Sequence, residues 1–173
     1  MIDGQLNINQ KEIIGFMMEC QPLLKYLYYG DNSVDIIEQE DLDSSQKIEL
    51  IKNKIFDYRR IPDNNSKEVS TYISMEYGAI SYIVGSGYRS SSNPYYHHPT
   101  FNFYVISHNS LDRTLMNGSR INAIESHLVN LFNKRFIIPS IGLSEVVTSE
   151  PLYLPNNYVG RQIKIRFVDK SDI

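Results

Sequence analysis

A chain of 173 residues, 42% hydrophobic and 21% charged, is long enough for one ordinary core and too apolar to stay disordered. Its net charge of −3 offers no basic stripe for nucleic-acid readout, and no apolar run approaches the ~18 residues of a membrane span. The single Cys20 excludes an internal disulfide and suits a reducing compartment.

Met1 is followed at once by Asp3, Gln5, Asn7 and Asn9, which is not a signal-peptide pattern, so the chain is expected in the cytoplasm when made. Asn9 is a good N-cap with Glu12 in capping-box position. Ile13, Phe16, Met17, Cys20, Leu24 and Leu27 then share a helical stripe. Pro22 predicts a kink or restart within it, and Gly30 a left-handed end. Residues 31–43 are acidic and read as a connecting loop with a short ordered turn. Ser44 or Ser45 caps a second helix, with Ile48, Ile51 and Ile55 as its buried stripe, ending before the turn Pro62–Asn65.

From Val69 the period changes to two: Val69, Thr71, Ile73, Met75 and Tyr77 lie on one side of a strand. Gly78 suggests a bulge or bend before residues 80–84 continue extended. Residues 85–99 (GSGYRSSSNPYYHHP) form a long polar loop, expected to be mobile. Residues 100–107 (TFNFYVIS), apolar on both faces, predict a central strand. Leu111–Asn117 reads as a connection. Over 119–134, Ile121, Ile124, Leu128, Leu131 and Phe132 recur on one face of an amphipathic helix. Ile141–Ser149 is a strand, Pro151–Asn157 a turn, and Tyr158–Asp169 the last strand, with Ile163, Ile165 and Phe167 facing in. The fold class is α+β. A small antiparallel sheet of about four strands, as two hairpins, packs against a helix, with additional N-terminal helices. One domain covers 1–173, with a helical part at 1–57 and the sheet and helix at 58–173.

Chemistry-bearing motifs are few. His97 and His98 (with His108 and His127 further on) are adjacent and point to opposite sides of an extended chain, so they do not converge; the pair reads as solvated loop histidines near a strand start and no metal site is assigned. Gly85-Ser86-Gly87 lacks the Lys-Ser/Thr pair and following helix of a phosphate loop. A metal-dependent nuclease would draw on Glu145 and Lys164 facing each other across the last hairpin, with Asp112 near a strand end; such triples arise by chance in most sheets. No nucleophile elbow or His–Asp pair suggests acyl transfer. The chain is therefore expected not to be an enzyme and to need no cofactor. Arg161, Lys164 and Arg166, with Lys164 and Arg166 on the outward face of the last strand, suit a solvated face or a charged seam meeting acidic residues 35–43 of a neighbour. Arg59 and Arg60 lie elsewhere in the chain. Thirteen tyrosines without tryptophan fit AT-rich coding or a surface that sticks to its own copies.

The segments DYRRIPD, NPYYHHPTFNFYVIS, RINAIESHLVNLF and EPLYLPNNYVGRQIKIRFVD together resemble the tail-terminator and tail-completion proteins of tailed bacteriophages, over about Tyr58–Asp169. The resemblance implies a virion structural protein: a ring, expected to be a hexamer, that caps the tail tube and joins it to the neck and head. Its partners would be further copies, the tail tube protein and neck or connector proteins. It would be found in the virion tail or neck, and in host cytoplasm during assembly. No catalytic residue carries over. Residues 9–57 give more helix than the simplest members have, which keeps a neck adaptor ring on the portal side as the alternative. A ring subunit uses sheet edges and a long loop for contacts. The Gly85–Pro99 loop, through Tyr88, Arg89, Tyr95 and Tyr96, is therefore expected to reach an adjacent subunit or the tube, followed by Arg161, Lys164 and Arg166.

Overall fold

The structure, a computed structural model, describes residues 2–30, 34–79, 99–114, 118–138, 142–155 and 157–168. Helix α1 spans Ile2–Met17, starting well before Asn9, because nothing in that stretch forbids a helix and a capping residue inside one is tolerated. The chain breaks at Met18–Cys20 and restarts as α2, Gln21–Tyr28, with Pro22 in its first turn, where its missing N–H costs nothing. Tyr29 leaves α2 in an extended conformation, so Gly30 supplies no left-handed cap.

Helix α3, Ser44–Asn53, is capped by Asp43 and not by a serine: Asp43 accepts from Gln46 N, and the Gln46 side chain accepts from Asp43 N. Its buried residue is Leu50. Ile48 and Ile51, expected inside, are 53% and 41% exposed. The i, i+3 pattern locates an apolar stripe but does not show which side of the helix the fold covers.

Among the described residues the sheet has six strands, two more than expected: β1 Ile55–Phe56, β2 Thr71–Ala79, β3 Pro99–His108, β4 Arg135–Ile138, β5 Gly142–Pro151 and β6 Tyr158–Val168. Their order is β1-β2-β3-β6-β5-β4; β1 runs parallel to β2 and every other pairing is antiparallel. The two additions are edge strands of two and four residues, too short for a period of two to show. Strand β3 is central, as its apolar faces require, and the ladder with β2 continues through Gly78↔Thr100 to Ala79↔Pro99 without a bulge. Between β3 and β4 lie α4, Asn109–Asp112, which runs into the stretch from Leu111 read as a connection, and α5, Arg120–Phe132, capped by Ser119.

One face of the sheet carries the main core. Ile73, Met75, Phe101, Phe103, Val105, Ile163, Ile165 and Phe167 meet Ile121, Ile124, Leu128 and Phe132 of α5, with Ile13, Met17, Leu23, Leu24 and Leu27 from α1 and α2. Two hairpins with a helix across them is the expected arrangement, and it holds. On the opposite face a smaller cluster, Tyr72, Tyr104, Ile106 and Tyr158, is covered by Phe56, Leu152 and Leu154.

Val147 is an extra residue in β5: Val146 pairs with Ile165 and Thr148 with Lys164. Strand β5 also runs on to Pro151, opposite Arg161. Together these place Glu145 opposite Arg166, not opposite Lys164 as expected. The bulge keeps Ser144, Val146 and Ser149 on the helix side, paired with Phe167, Ile165 and Ile163, although their spacing is not strictly alternate.

Candidate assembly surfaces

The basic residues of β6 divide between the two faces of the sheet. Arg161 shares the helix side with Ile163 and ion-pairs with Glu125 of α5 at 2.8 Å. It also donates to Ser149 Oγ, which in turn donates to Glu125. Arg166 lies on the opposite face and grips Glu145 through two nitrogens, at 2.9 and 2.7 Å. Lys164, half-buried beside Thr148 and Asn102 in register, is on that same face. The structure thus brings Lys164 and Arg166 together and sends Arg161 to the other side. It also ties the two arginines to carboxylates of their own chain.

The acidic segment has a fixed backbone. Gln21 clamps Leu42 with paired bonds of 3.1 and 2.9 Å, and Lys25, only 8% exposed, reaches Ile37 O and the Asp41 carboxylate. Asp35 bonds Ile37 N and Asp43 caps α3, which leaves Glu38 and Glu40 as exposed carboxylates here. Tyr88, Arg89, Tyr95 and Tyr96, with His97 and His98, lie outside the described residues.

Beside the back-face cluster, Arg60 stacks on Phe56 and Tyr72, and Arg59 on Tyr104. Burial pushes the Tyr72 phenol up to about 12. Tyr104 is raised to about 12 by burial and by its bond to Glu76, whose carboxylate accepts the phenolic proton. These groups stay neutral across physiological pH and serve as packing. His108 caps α4 by accepting from Ser110 N and stacks edge-on against Tyr158; His127 lies against Tyr26. Among the described residues no cluster of three or more His, Cys, Asp or Glu is placed to hold a metal, and no helix is long and apolar enough to cross a membrane. Asp112, the last residue of α4, is engaged with the start of α5, accepting from Ser119 Oγ and Ile121 N.

An open cleft of about 430 Å³ separates the start of α5 from the β5–β6 connection. Its two charged groups are already engaged, Asp112 with α5 and Arg161 with Glu125. The connection itself is more informative. Leu152 and Leu154 pack down on the back-face cluster, while Tyr153 between them is 105% exposed.

Both sheet edges are only partly covered. Strand β1 pairs with β2 at Ile73 and Ser74, and beyond Ser74 no described strand lies on that side. Strand β4 pairs with β5 as far as Ser144, and Asn133 Oδ1 accepts from Val146 N; the outer side of Val147–Pro151 has no described strand beside it. Phe136 and Val147, at 52% and 42% exposed, mark this second edge. Sequence reasoning missed Ile48, Ile51, Phe136, Val147 and Tyr153 as surface residues. The one available signal was Tyr153, an aromatic set between two prolines.

A mixed sheet with helices packed on one face gives the described residues an α+β fold. The chain belongs to the YomW family, whose model matches residues 21–167. This is a family of the Bacillus phage SPbeta type, and the chain is a phage-associated protein. Neither a curated protein nor a solved structure matches it.

Proposed function

We propose that this chain is a virion structural protein whose copies form a ring that terminates the phage tail tube and joins it to the neck, with no catalytic role. The observation that carries the reading is the pair of sheet edges that the described residues cover only in part, on β2 beyond Ser74 and on β5 from Val147, at opposite ends of one sheet. A subunit of a closed ring needs two different contact surfaces, one for each neighbour. Unpaired strand edges attract other chains, and a soluble monomer normally blunts them along their whole length. The phage-associated family supports the setting. The back face, with Lys164 and the Arg166–Glu145 pair, is a polar surface suited to the protein above or below in the stack.

The test is the native mass and shape of the purified protein. Light scattering and negative-stain images should give rings, and sixfold rings should bind the ends of isolated tail tubes. A monomer at high concentration overturns the reading. Twelvefold rings that bind portal instead would move the protein to the neck adaptor position.

A further inference from the structure

We propose that Tyr153 of one copy seats on the exposed Ile48–Ile51 stripe of α3 in the next copy, with Glu150 of the first facing Lys52 of the second. The inference rests on the ring reading and names one of its contacts.

The first half of the contact is a side chain held ready. Tyr153 is 105% exposed, so its side chain stands in solvent at the rim of the cleft. Its backbone is nevertheless held on both sides. Pro151 and Pro155 restrict φ, Leu152 N donates to Gly160 O at 3.0 Å, and Tyr158 N donates to Pro155 O at 2.9 Å. Leu152 and Leu154 anchor the segment from below. Gly160 lets them approach: a Cβ there would lie 2.8 Å from Leu154 Cδ1 and 3.2 Å from Leu152 Cδ1. A rigid loop that projects one aromatic ring loses little conformational entropy on binding, and tyrosine is among the side chains that most often dominate interfaces.

The second half is a helix whose exposed side carries two isoleucines, Ile48 and Ile51, among the polar residues Ser45, Glu49, Lys52 and Asn53. Leu50 is buried and the Asp43 capping box fixes the start of α3, so its orientation is set. That orientation turns Ile48 and Ile51 to solvent, with exposed Lys52 beside them at i+4 from Ile48. β-branched side chains with restricted rotamers make a preformed slot for an aromatic ring. The ends also match in charge: exposed Glu150 precedes the tyrosine loop and exposed Lys52 flanks the stripe.

The two halves sit on different elements. Helix α3 leads into β1 at one end of the sheet, and the tyrosine loop joins β5 to β6. A contact between two different patches of identical chains is head-to-tail, which is the kind that closes into a ring. A second copy supplies both the knob and the slot.

The experiment uses the full chain with Cys20→Ser, so that introduced thiols are the only ones. The Tyr153→Cys, Ile51→Cys double variant should give a ladder of covalent multimers on a denaturing gel after oxidation, and either single variant should not. Tyr153→Ala should weaken assembly by about 30-fold. Glu150→Lys and Lys52→Glu should each weaken it, and the two together should restore it. An assembly of normal native mass that gives no ladder and no charge-swap rescue overturns this contact while leaving the ring reading intact. A monomeric native mass overturns both. All four positions are exposed, so a variant that assembles poorly but keeps wild-type circular dichroism has lost the contact and not the fold.

Discussion

Arg120→Met should remove more stability than any other single change to the polar groups of this fold. Arg120 is 1% exposed at the first position of α5, and its guanidinium ties three segments together. Nε donates to Leu111 O at 2.7 Å, and Nη1 donates to Tyr26 O at 2.7 Å and Tyr29 O at 2.6 Å. The last two carbonyls belong to the end of α2, where no later residue of the helix can satisfy them and the helix dipole favours a cation. Burial pushes the guanidinium below its ordinary value, and the Asp112 carboxylate partly offsets this. Each charge-assisted bond is worth ~1.5–3 kcal/mol, but methionine also relieves the cost of a buried charge. The net loss should be about 3–5 kcal/mol, because three carbonyls are left without this donor. For a chain of this size that lowers Tm by roughly 6–20 °C. Urea unfolding followed by far-ultraviolet circular dichroism measures it. A loss below about 1 kcal/mol would refute the claim that this arginine couples α2, α4 and α5.

Gly160→Ala should destabilise by about 1–3 kcal/mol, since its new methyl would meet Val105 O at 2.8 Å, a backbone atom that cannot swing aside; an unchanged urea midpoint would contradict this. His127 is half-buried, and burial lowers its pKa from 6.5, so the unfolded chain takes up the proton first as pH falls. Its contribution is therefore absent above that value and destabilising below it, with a slope of at most about 1.4 kcal/mol per pH unit until the folded state also protonates. His127→Gln should flatten the loss of stability as the pH falls below about 6.5, and an identical pH profile in the two proteins would refute the assignment.

What was legible in the sequence, and what was not, follows from how far each signal reaches along the chain. The stripe on α5 and the alternation in β2 and β6 are repeated many times within one element, so the face they bury is written locally, and the apolar residues on both faces of β3 mark it as central. The pairing of hairpins followed from them. The register of β5 against β6 was not written in that way, because the Val147 bulge shifts the alternation by one residue and only the partner strand reveals it. Strand β1 borrows its neighbour from residues almost twenty positions later, at Ile55↔Ile73, and two residues carry no period. Arg120 opens α5 with a residue type that is usually exposed; its burial is decided by the carbonyls of α2, ninety-one residues away for Tyr29.

The same reasoning separates Arg161 and Arg166 from Tyr153 as candidate contacts. A charge on a strand looks available in sequence, yet Arg161 and Arg166 each have a carboxylate of their own chain within 2.8 Å. Recruiting either to a neighbour would mean sharing or breaking a pair already made, and an exposed replacement pair returns only ~0–1 kcal/mol. An exposed apolar surface has no such prior commitment, and covering it yields roughly 25 cal/mol for every Å² removed from solvent. The exposed Tyr153, Ile48 and Ile51 are thus stronger candidates for subunit contact than the basic strand, which is better placed to steer and orient an approaching partner.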